Sequence, residues 1–296
     1  MITTGNWPDA LEPIVRKNHD MGFEEPPFEK EAIWSVRKGK KRTETYMEIG
    51  DIPQMGTFTG SVNYADVSEG YTRTATATQF AQGIKIERQF VETDQQDVVD
   101  DLPKKLGISA RRRMGTDVYN YFNNSFNTSV VTIDNLQLCS SAHTSNNGGS
   151  SQSNRGTSAF SALSVEATAI NMIDFLSNTD GVIDVNPDTL IVPKNLREAA
   201  WEIINSDGKA DTANNNRNFL KGKYNVIVGG VWMTDTNNWF MVDSKMMKMY
   251  FDWFDIVPLE FNQAKDFDGF TAKYADYMFY GNFVRDWRPI FGHEVS

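Results

Sequence analysis

The chain contains very little cysteine and histidine and no long apolar run. Cys139 is its single cysteine, so no disulfide can form within the chain, which suits a reducing compartment. No window approaches the roughly 18 uninterrupted apolar residues of a membrane-spanning helix. Residues 1–13 lack the basic and apolar regions of a secretory signal. We therefore expect no membrane partner.

The chain also lacks the motifs of the common catalytic sites. It has no G-x-x-x-x-G-K-S/T loop, no G-x-G-x-x-G fingerprint and no G-x-S-x-G elbow. Cys139 and His143 have a metal-like spacing, but no second pair accompanies them. Asp252, Asp255 and Glu260 could supply the two carboxylates of a glycan-acting enzyme, although nothing in their spacing favours this over solvated strand ends. We expect no enzymatic activity, no cofactor and no metal.

Positive charge is scarce, since the formal net charge is −10. That balance disfavours strong non-specific binding to nucleic acid, which needs clustered lysine and arginine. Two basic clusters go against the trend, and each is either a solvated or acid-paired group or a patch that faces phosphate. The candidate DNA-facing residues are Arg37, Lys38, Lys40, Lys41, Arg42, Arg111, Arg112 and Arg113.

Residues 94–126 predict the longest helix of the protein. Asp94 and Asp97 are typical helix-starting residues, and Pro103 falls where a helix can begin or kink. Beyond it an apolar stripe follows at mostly four-residue spacing: Leu106, Ala110, Met114, Val118, Tyr121, Phe122 and Phe126. We expect this stripe to pack on the aromatic-rich, β-rich end of the chain.

The segments before this helix have little apolar periodicity. Residues 1–40 predict an extended arm with at most a short helix over 9–17, which must lie along another surface or be disordered. Residues 41–90 predict a long β-hairpin, and such a hairpin is marginal without a partner surface. Its loose, polar tip, a candidate intersubunit contact, is expected at Asp66, Val67, Ser68, Glu69 and Gly70.

The segments after the helix alternate between helix and strand. Residues 129–143 predict two short strands around a turn at Asp134–Asn135. Residues 160–176 predict a helix capped by Ser164. Residues 188–193 predict a buried strand, and a capping box at Asn195 and Glu198 begins the next helix. The buried face of the helix over 160–176 is expected at Ala167, Ile170, Ile173 and Leu176. The β-rich end is expected at 224–230, 231–235, 238–244, 247–254 and 269–287.

This order of arm, hairpin, long helix, α/β region and β-rich end resembles the major capsid proteins of tailed bacteriophages, which have the Hong Kong 97 capsid fold. Within that fold the chain is most similar to the Mu-type major head subunits. The resemblance is carried by residues 63–107, 134–154, 162–206 and 218–244 together with 284–292. The third stretch is the most specific, with a helix, a strand, Val192–Pro193 and a second helix.

The resemblance implies an α+β fold of the Hong Kong 97 type with four parts. They are an N-terminal arm at 1–40, an extended β-hairpin loop at 41–90, a peripheral domain with the long spine helix at 91–130 and 240–280, and an axial α/β domain at 131–239 and 281–296. The implied function is that of a major capsid (head) protein. It would assemble as hexamers and pentamers into an icosahedral shell around double-stranded DNA in the virion, formed in the host bacterial cytoplasm.

The resemblance also implies partners: a portal, decoration proteins and weak, non-specific contact of the basic clusters with packaged DNA. No lysine lies between Lys41 and Lys85, so the lysine cross-link of some family members is not expected. The arm begins almost at once, which favours a separate scaffolding protein. Two alternatives stay open, the shell of a cellular nanocompartment with the same fold and a β-rich glycan-acting enzyme.

Overall fold

A long helix lies against a four-stranded sheet, and a second sheet has five strands. The computed structural model describes residues 7–24, 29–52, 55–58, 60–62, 64, 67–93, 96–208, 217–266 and 269–296. In these ranges the helices are α1 (Trp7–Glu24), α2 (Lys30–Ile33), α3 (Arg88–Glu92), α4 (Gln96–Val118), α5 (Asn120–Asn123), α6 (Ala162–Ile173), α7 (Arg197–Asn205) and α8 (Ser244–Tyr250).

The strands of the same ranges form two sheets and a separate pair. The strands are β1 (Ser35–Lys38), β2 (Thr43–Ile49), β3 (Glu69–Thr76), β4 (Thr78–Glu87), β5 (Arg155–Gly156), β6 (Thr189–Val192), β7 (Asn225–Val228), β8 (Trp239–Val242), β9 (Phe251–Asp266), β10 (Thr271–Val284) and β11 (Ile290–His293). The first sheet has the order β1-β9-β10-β4, the second has β5-β11-β8-β6-β7, and β2 pairs with β3. The long antiparallel pair β9–β10 is the centre of the first sheet.

The apolar stripe of α4 is buried as predicted. Leu106, Met114, Val118 and the following Phe122 are all buried. Met114, Val118 and Phe122 belong to one core cluster with Trp253 of β9 and residues of β10. Burial of this stripe against a sheet stabilises both elements, because each apolar side chain removed from water contributes about 1.5–3 kcal/mol.

The long helix ends earlier than predicted. α4 stops at Val118 and only the short α5 follows, whereas one helix was expected through residue 126. The backbone carbonyls at its end are taken by other elements: Trp34 Nε1 donates to Val118 O at 3.0 Å and Asn282 Nδ2 donates to Asp117 O at 3.0 Å. These bonds satisfy carbonyls that a helix end leaves unpaired. Pro103 lies inside α4, and Asp94 lies outside the described residues.

The arm is helical rather than extended, so that prediction is wrong. α1 runs through Glu24 and packs along α4. Two glycines allow the close approach: a Cβ at Gly22 would lie 2.1 Å from Lys104 O, and a Cβ at Gly107 would lie 2.2 Å from His19 O. Val15 and His19 are buried beside them. The i, i+4, i+7 spacing of Val15, His19 and Gly22 was the signal that the proline content obscured.

The predicted hairpin is shorter than 41–90. β2 pairs with β3, but β4 leaves them and pairs with β10 along its whole length. Alternation of polar and apolar residues marks a strand without identifying its partner, and the long β10 offers more pairing than β3. The hairpin proper therefore covers 43–76.

Several local predictions are also wrong. Residues 129–143 form turns instead of two strands, with Asn135 at a φ of 66°. Residues 231–235 form a turn, and the strand expected from 247 begins only at Phe251 because α8 precedes it. Asp243 caps α8 by accepting from Met246 N at 2.9 Å. The capping box expected at Asn195 is replaced by a 3₁₀ turn over Lys194–Leu196.

The helix α6 turns a different face to the core than expected. Val165, Thr168, Ala169 and Met172 are buried, whereas Ala167, Ile170 and Ile173 are exposed. Its cap is Ser161, with Ser164 as the reciprocal residue of a capping box. Apolar residues occur on both sides of this helix, so the pattern could not select the buried side. The β6 strand is buried as predicted, and Ala200, Ile203 and Ile204 form the buried side of α7.

A buried ion pair joins α1 to the first sheet. His19 Nε2 lies 3.0 Å from Asp276 Oδ2 of β10, and His19 Nδ1 lies 3.0 Å from Asp20 Oδ1. Burial lowers the pKa of His19, but the hydrogen bonds and charges of Asp276 and Asp20 outweigh it and raise the pKa above 6.5. The protonated imidazolium therefore stabilises the packing of α1.

The sign of this shift predicts a pH-dependent stability. The contribution of His19 is complete below the unfolded-state pKa of 6.5 and is lost as the pH rises through the raised folded-state value. Asp276→Asn should lower the free energy of unfolding by about 1.5–3 kcal/mol at about pH 6 and by less at about pH 9, as measured by denaturant titration. Asp20→Asn, at the exposed partner, is the control and should cost less. An equal loss for Asp276→Asn at both pH values would contradict the assignment.

The packing of α4 predicts a large effect of charge at Met114. Met114→Asp should lower the free energy of unfolding by several kcal/mol, roughly 3–5, because it buries an unpaired carboxylate. Met114→Leu conserves volume and should cost less than about 1.5 kcal/mol. Thermal unfolding of both variants measures the difference, and an unchanged melting temperature for Met114→Asp would show that α4 does not pack as described.

Candidate assembly and DNA-facing surfaces

The segment between β2 and β3 exposes a series of large apolar side chains. Met55 is 96% exposed, Tyr64 is 87% exposed and Phe58 is 73% exposed. The whole series, here called the apolar loop, consists of Ile49, Ile52, Met55, Phe58, Val62, Tyr64 and Val67. A Cβ placed on Gly56 or Gly60 would meet no atom within 4 Å. Exposed apolar surface of this extent marks an interaction site.

The predicted tip residues lie at the start of β3 instead of at the turn. Glu69 and Gly70 are the first residues of β3, and Glu69 pairs with Ile49. Gly50 N donates to Ser68 O at 2.9 Å. Val67 precedes them, and Asp66 lies outside the described residues. The turn therefore falls earlier, within 50–66, and the polar residues that suggested a tip mark a strand end.

Sequence analysis missed the apolar loop because the glycines and prolines around it suggested a polar turn. A signal was present, since Ile49, Ile52, Met55 and Phe58 recur at three-residue spacing without a partner strand of matching pattern.

A second exposed apolar surface lies on the other sheet. Leu163, Ile170 and Ile173 of α6 are more than half exposed. Trp201 of α7 is also exposed, beside a groove of about 520 Å³ that Tyr224 and strand β7 line. These surfaces add to the apolar area that a single chain leaves uncovered.

Arg37 is held by contacts within the chain. Its guanidinium forms an ion pair with Glu44, donates to Tyr46 Oη at 2.8 Å and lies over the ring of Phe254. The hydrogen bond from Arg37 lowers the pKa of Glu44. The neighbouring Lys38, Lys40, Lys41 and Arg42 are exposed, and no ion pair within the described part of the chain engages them.

The three consecutive arginines of α4 point in different directions and do not form one stripe. Arg113 makes a bidentate pair with Asp117, with distances of 3.0 and 2.7 Å, and lies over Phe80. Arg111 lies over the ring of Phe23, 5.2 Å from its centroid. Arg112 is exposed.

Arg113 is exposed but paired with Asp117. The exposed candidates without an ion pair among the described residues are Lys38, Lys40, Lys41, Arg42 and Arg112.

Two of the three carboxylates considered for catalysis have structural partners, and the third, Glu260, is exposed. Asp252 pairs with Arg285 at 2.9 Å, and Asp255 accepts from Lys30 Nζ at 3.1 Å and from Trp253 Nε1 at 2.7 Å. These contacts join β9 to the segments around it.

The residues considered for a metal site are also structural. Cys139 is fully buried, and burial raises the pKa of its thiol. His143 stacks on Trp287 with 4.2 Å between ring centroids and lies between Asp134 and Asn154. The described residues contain no group of three or more metal-ligating side chains. None of the described helices has the length and apolar character needed to cross a membrane.

Comparison with known proteins agrees with the architecture. The sequence matches the family described as phage capsid protein over residues 70–291. No curated protein matches the chain.

Three solved particles have a similar fold. The capsid of bacteriophage JBD30 has a TM-score of 0.59 at 13% identity, over 72% of this chain and 95% of that chain. The mature capsid of bacteriophage PhiM1 has a TM-score of 0.55 at 11% identity, over 92% and 89% of the two chains. The virus-like particle from Pyrococcus furiosus has a TM-score of 0.58 at 10% identity, over 95% and 98%. At such identities the likeness concerns the fold.

The family match over residues 70–291 decides between the readings left open by the sequence. The chain belongs to the phage capsid protein family, has the Hong Kong 97 capsid fold and is a major capsid protein of a tailed bacteriophage.

Proposed function

We propose that this chain assembles as hexamers and pentamers into an icosahedral shell that encloses double-stranded DNA. The observation that carries the proposal is the apolar loop, whose side chains the described part of the chain leaves exposed although the sheets beside them are well packed. Neighbouring copies in a shell would supply the missing burial. The shell forms in the host bacterial cytoplasm and becomes part of the virion.

The division into parts supports this arrangement. We propose that the peripheral domain, expected at 91–130 and 240–280, contains α4, β9 and β10, to which β1 and β4 add as the outer strands of the same sheet. We propose that the β5-β11-β8-β6-β7 sheet is the centre of the axial domain, expected at 131–239 and 281–296, and that β8 extends this domain to Val242. Strand β4 pairs within the first sheet, so the extended loop is limited to about 43–76. The exposed apolar residues of α6 and Trp201 lie on the axial part and fit contacts around a capsomer axis.

Within the family we propose a subunit of the Mu type, on the resemblance of the four sequence stretches. Its partners are a portal, decoration proteins and a separate scaffolding protein, and the chain itself has no enzymatic role. A nanocompartment shell would have the same fold, since the Pyrococcus furiosus particle shares it, but the family match favours the phage capsid.

The shell proposal predicts the size of the purified protein and its dependence on the apolar loop. Size-exclusion chromatography should show capsomers or megadalton particles for the native chain. The double variant Met55→Ser, Phe58→Ser should remain a folded monomer with unchanged thermal stability, since both side chains are exposed in the single chain. Thr57→Ser, between them, is the matched control and should assemble normally. A native chain that stays monomeric, or a double variant that assembles like the control, would contradict the proposal.

Contact with packaged DNA should be weak and indifferent to base sequence. The net charge of −10 repels the polymer and leaves contact to the exposed basic residues. We expect dissociation constants for duplex DNA no tighter than roughly 10⁻⁴ to 10⁻⁶ M at physiological salt, weakening as salt rises.

Variants separate the phosphate contacts from the structural arginine. Neutralising Lys38, Lys40 and Lys41 to glutamine should weaken DNA binding further and leave assembly intact. Arg37→Gln should instead lower thermal stability, because it breaks the pair with Glu44. Filter binding measures the first effect, and a nanomolar, sequence-selective complex would overturn this account of the DNA-facing residues.

A further inference from the structure

The β2–β3 hairpin is held at two places of different chemistry. Near the end that begins at Thr43, Tyr46 stacks on Phe283 with 5.1 Å between ring centroids. Ala75 and Ala77 are buried with Phe283 in the same cluster. This contact is apolar, and we call it the anchoring contact of the hairpin.

The far end of the hairpin is held by polar contacts from two loops, 144–149 and 177–181. Asn178 Nδ2 donates to Glu48 Oε1 at 3.2 Å and to Ile49 O at 3.1 Å, while Asn178 Oδ1 accepts from Asp51 N at 3.2 Å. Ser68 Oγ donates to Asn147 Oδ1 at 2.9 Å. The apolar side chains of this end, including Ile49, stay exposed. These bonds are exposed or only partly buried, so water can replace each of them when the contact opens.

Glu48 lies at the centre of this far contact without a cation. It faces a cavity of about 260 Å³. The two arginines that line the cavity form ion pairs with other carboxylates. Arg285 pairs with Asp252 at 2.9 Å, and Arg288 pairs with Asp286 at 3.1 Å. Among the described residues no ion pair reaches Glu48. The titratable and charged groups that face it are Asp51, Tyr71, Tyr250, Arg285, Asp286 and Arg288.

The space for the carboxylate depends on a glycine. A Cβ at Gly70 would lie 2.7 Å from Glu48 Oε2 and 3.0 Å from Asn147 Nδ2. The buried Asn147 Nδ2 has no hydrogen-bond partner in the described structure. The contact therefore holds a carboxylate without an ion-pair partner and an unpaired amide nitrogen against the hairpin backbone, and both disfavour it.

We propose that Glu48, Asn147 and Asn178 form a releasable latch, which holds the far half of the hairpin against the axial part of its own chain until the hairpin engages a neighbouring subunit. The inference rests on the proposed function, since assembly into a shell supplies the neighbouring subunit that the released hairpin contacts. When the latch opens, the hairpin rotates about the anchoring contact at Tyr46, and the apolar loop moves with it. The latch is thus a contact within the subunit that competes with assembly.

The direction in which pH acts on the latch follows from the burial of Glu48. Burial raises the pKa of Glu48, and the hydrogen bonds from Tyr71 N and Asn178 offset this only in part. A raised pKa stabilises the latched state when the carboxyl group is protonated. That stabilisation is complete below the ordinary value of 4.5 and is lost as the pH rises through the raised value. The latched state is therefore more stable in acid than at neutral pH.

Hydrogen exchange of the full-length, unassembled chain tests the latch directly. The amide to follow is Asp51 N, which donates to Asn178 Oδ1 in the latched state, with rates corrected for the intrinsic effect of pH. Gly50 N donates to Ser68 O within the hairpin, so it is the reference amide that should not respond to the latch. In the native chain the protection of Asp51 should fall as the pH rises from about 4.5 to about 8. Glu48→Gln should remain protected at both pH values, because it keeps the acceptor for Asn178 and removes the charge. Asn178→Ala should exchange roughly tenfold faster at both.

The matched control is Glu69→Gln, an exposed carboxylate of the same hairpin, which should retain the native pH dependence. Native pH dependence in Glu48→Gln, or native protection of Asp51 in Asn178→Ala, would overturn the latch. The measurement is made on single subunits, so its outcome is independent of whether the chain assembles. Failure of the shell proposal would show in the chromatography of the native chain and not here.

Discussion

The structure depends on the burial of α4 against the β9–β10 pair, and Trp34 joins the elements that meet there. Its ring lies 5.3 Å from Phe251, 5.6 Å from Tyr121 and 6.0 Å from Trp253. Its indole N–H caps the end of α4 at Val118 O. One side chain thus sets where the helix stops and how the sheet lies against it. Since the same cluster includes Phe240 and Ile290 of the second sheet, the two sheets share this core and hold each other in place.

This well-packed centre contrasts with surfaces that the chain cannot cover by itself. The apolar loop beyond β2 and the outer side of α6 expose large apolar side chains, which cost free energy in water. The hairpin that carries the apolar loop is attached by stacking at Tyr46 and by weak polar bonds at Glu48 and Asn178. In the proposed shell, a subunit built in this way completes its burial in contact with copies of itself.

The sequence predicted the elements whose apolar residues repeat regularly. The stripe of Leu106, Met114 and Val118 and the strand at 189–192 lie where the pattern placed them, because burial on one side imposes the period on the sequence. The pattern could not show that Trp34, distant in sequence, would end the helix at Val118. It also could not identify the partner of β4, because the alternation of polar and apolar residues shows that a segment is a strand without showing which strand it pairs with. The order of segments identified the fold where single elements did not.

The site was less predictable than the fold. Charge density suggested Arg37 and Arg113 as DNA-facing residues, but both are paired with carboxylates, and the partner Glu44 of Arg37 belongs to a different strand. The apolar loop was missed because its glycine-rich surroundings are typical of a polar turn. Whether a side chain is buried depends on its neighbours in three dimensions, and the described residues leave Met55 and Phe58 exposed.

The central claim is that neighbouring copies bury the apolar loop. A reconstruction of the assembled particle by electron cryo-microscopy tests it most directly. The account predicts closed icosahedral shells in which Met55 and Phe58 lie buried against an adjacent subunit. Shells in which both side chains stay exposed to solvent, or fold back onto their own chain, would contradict it.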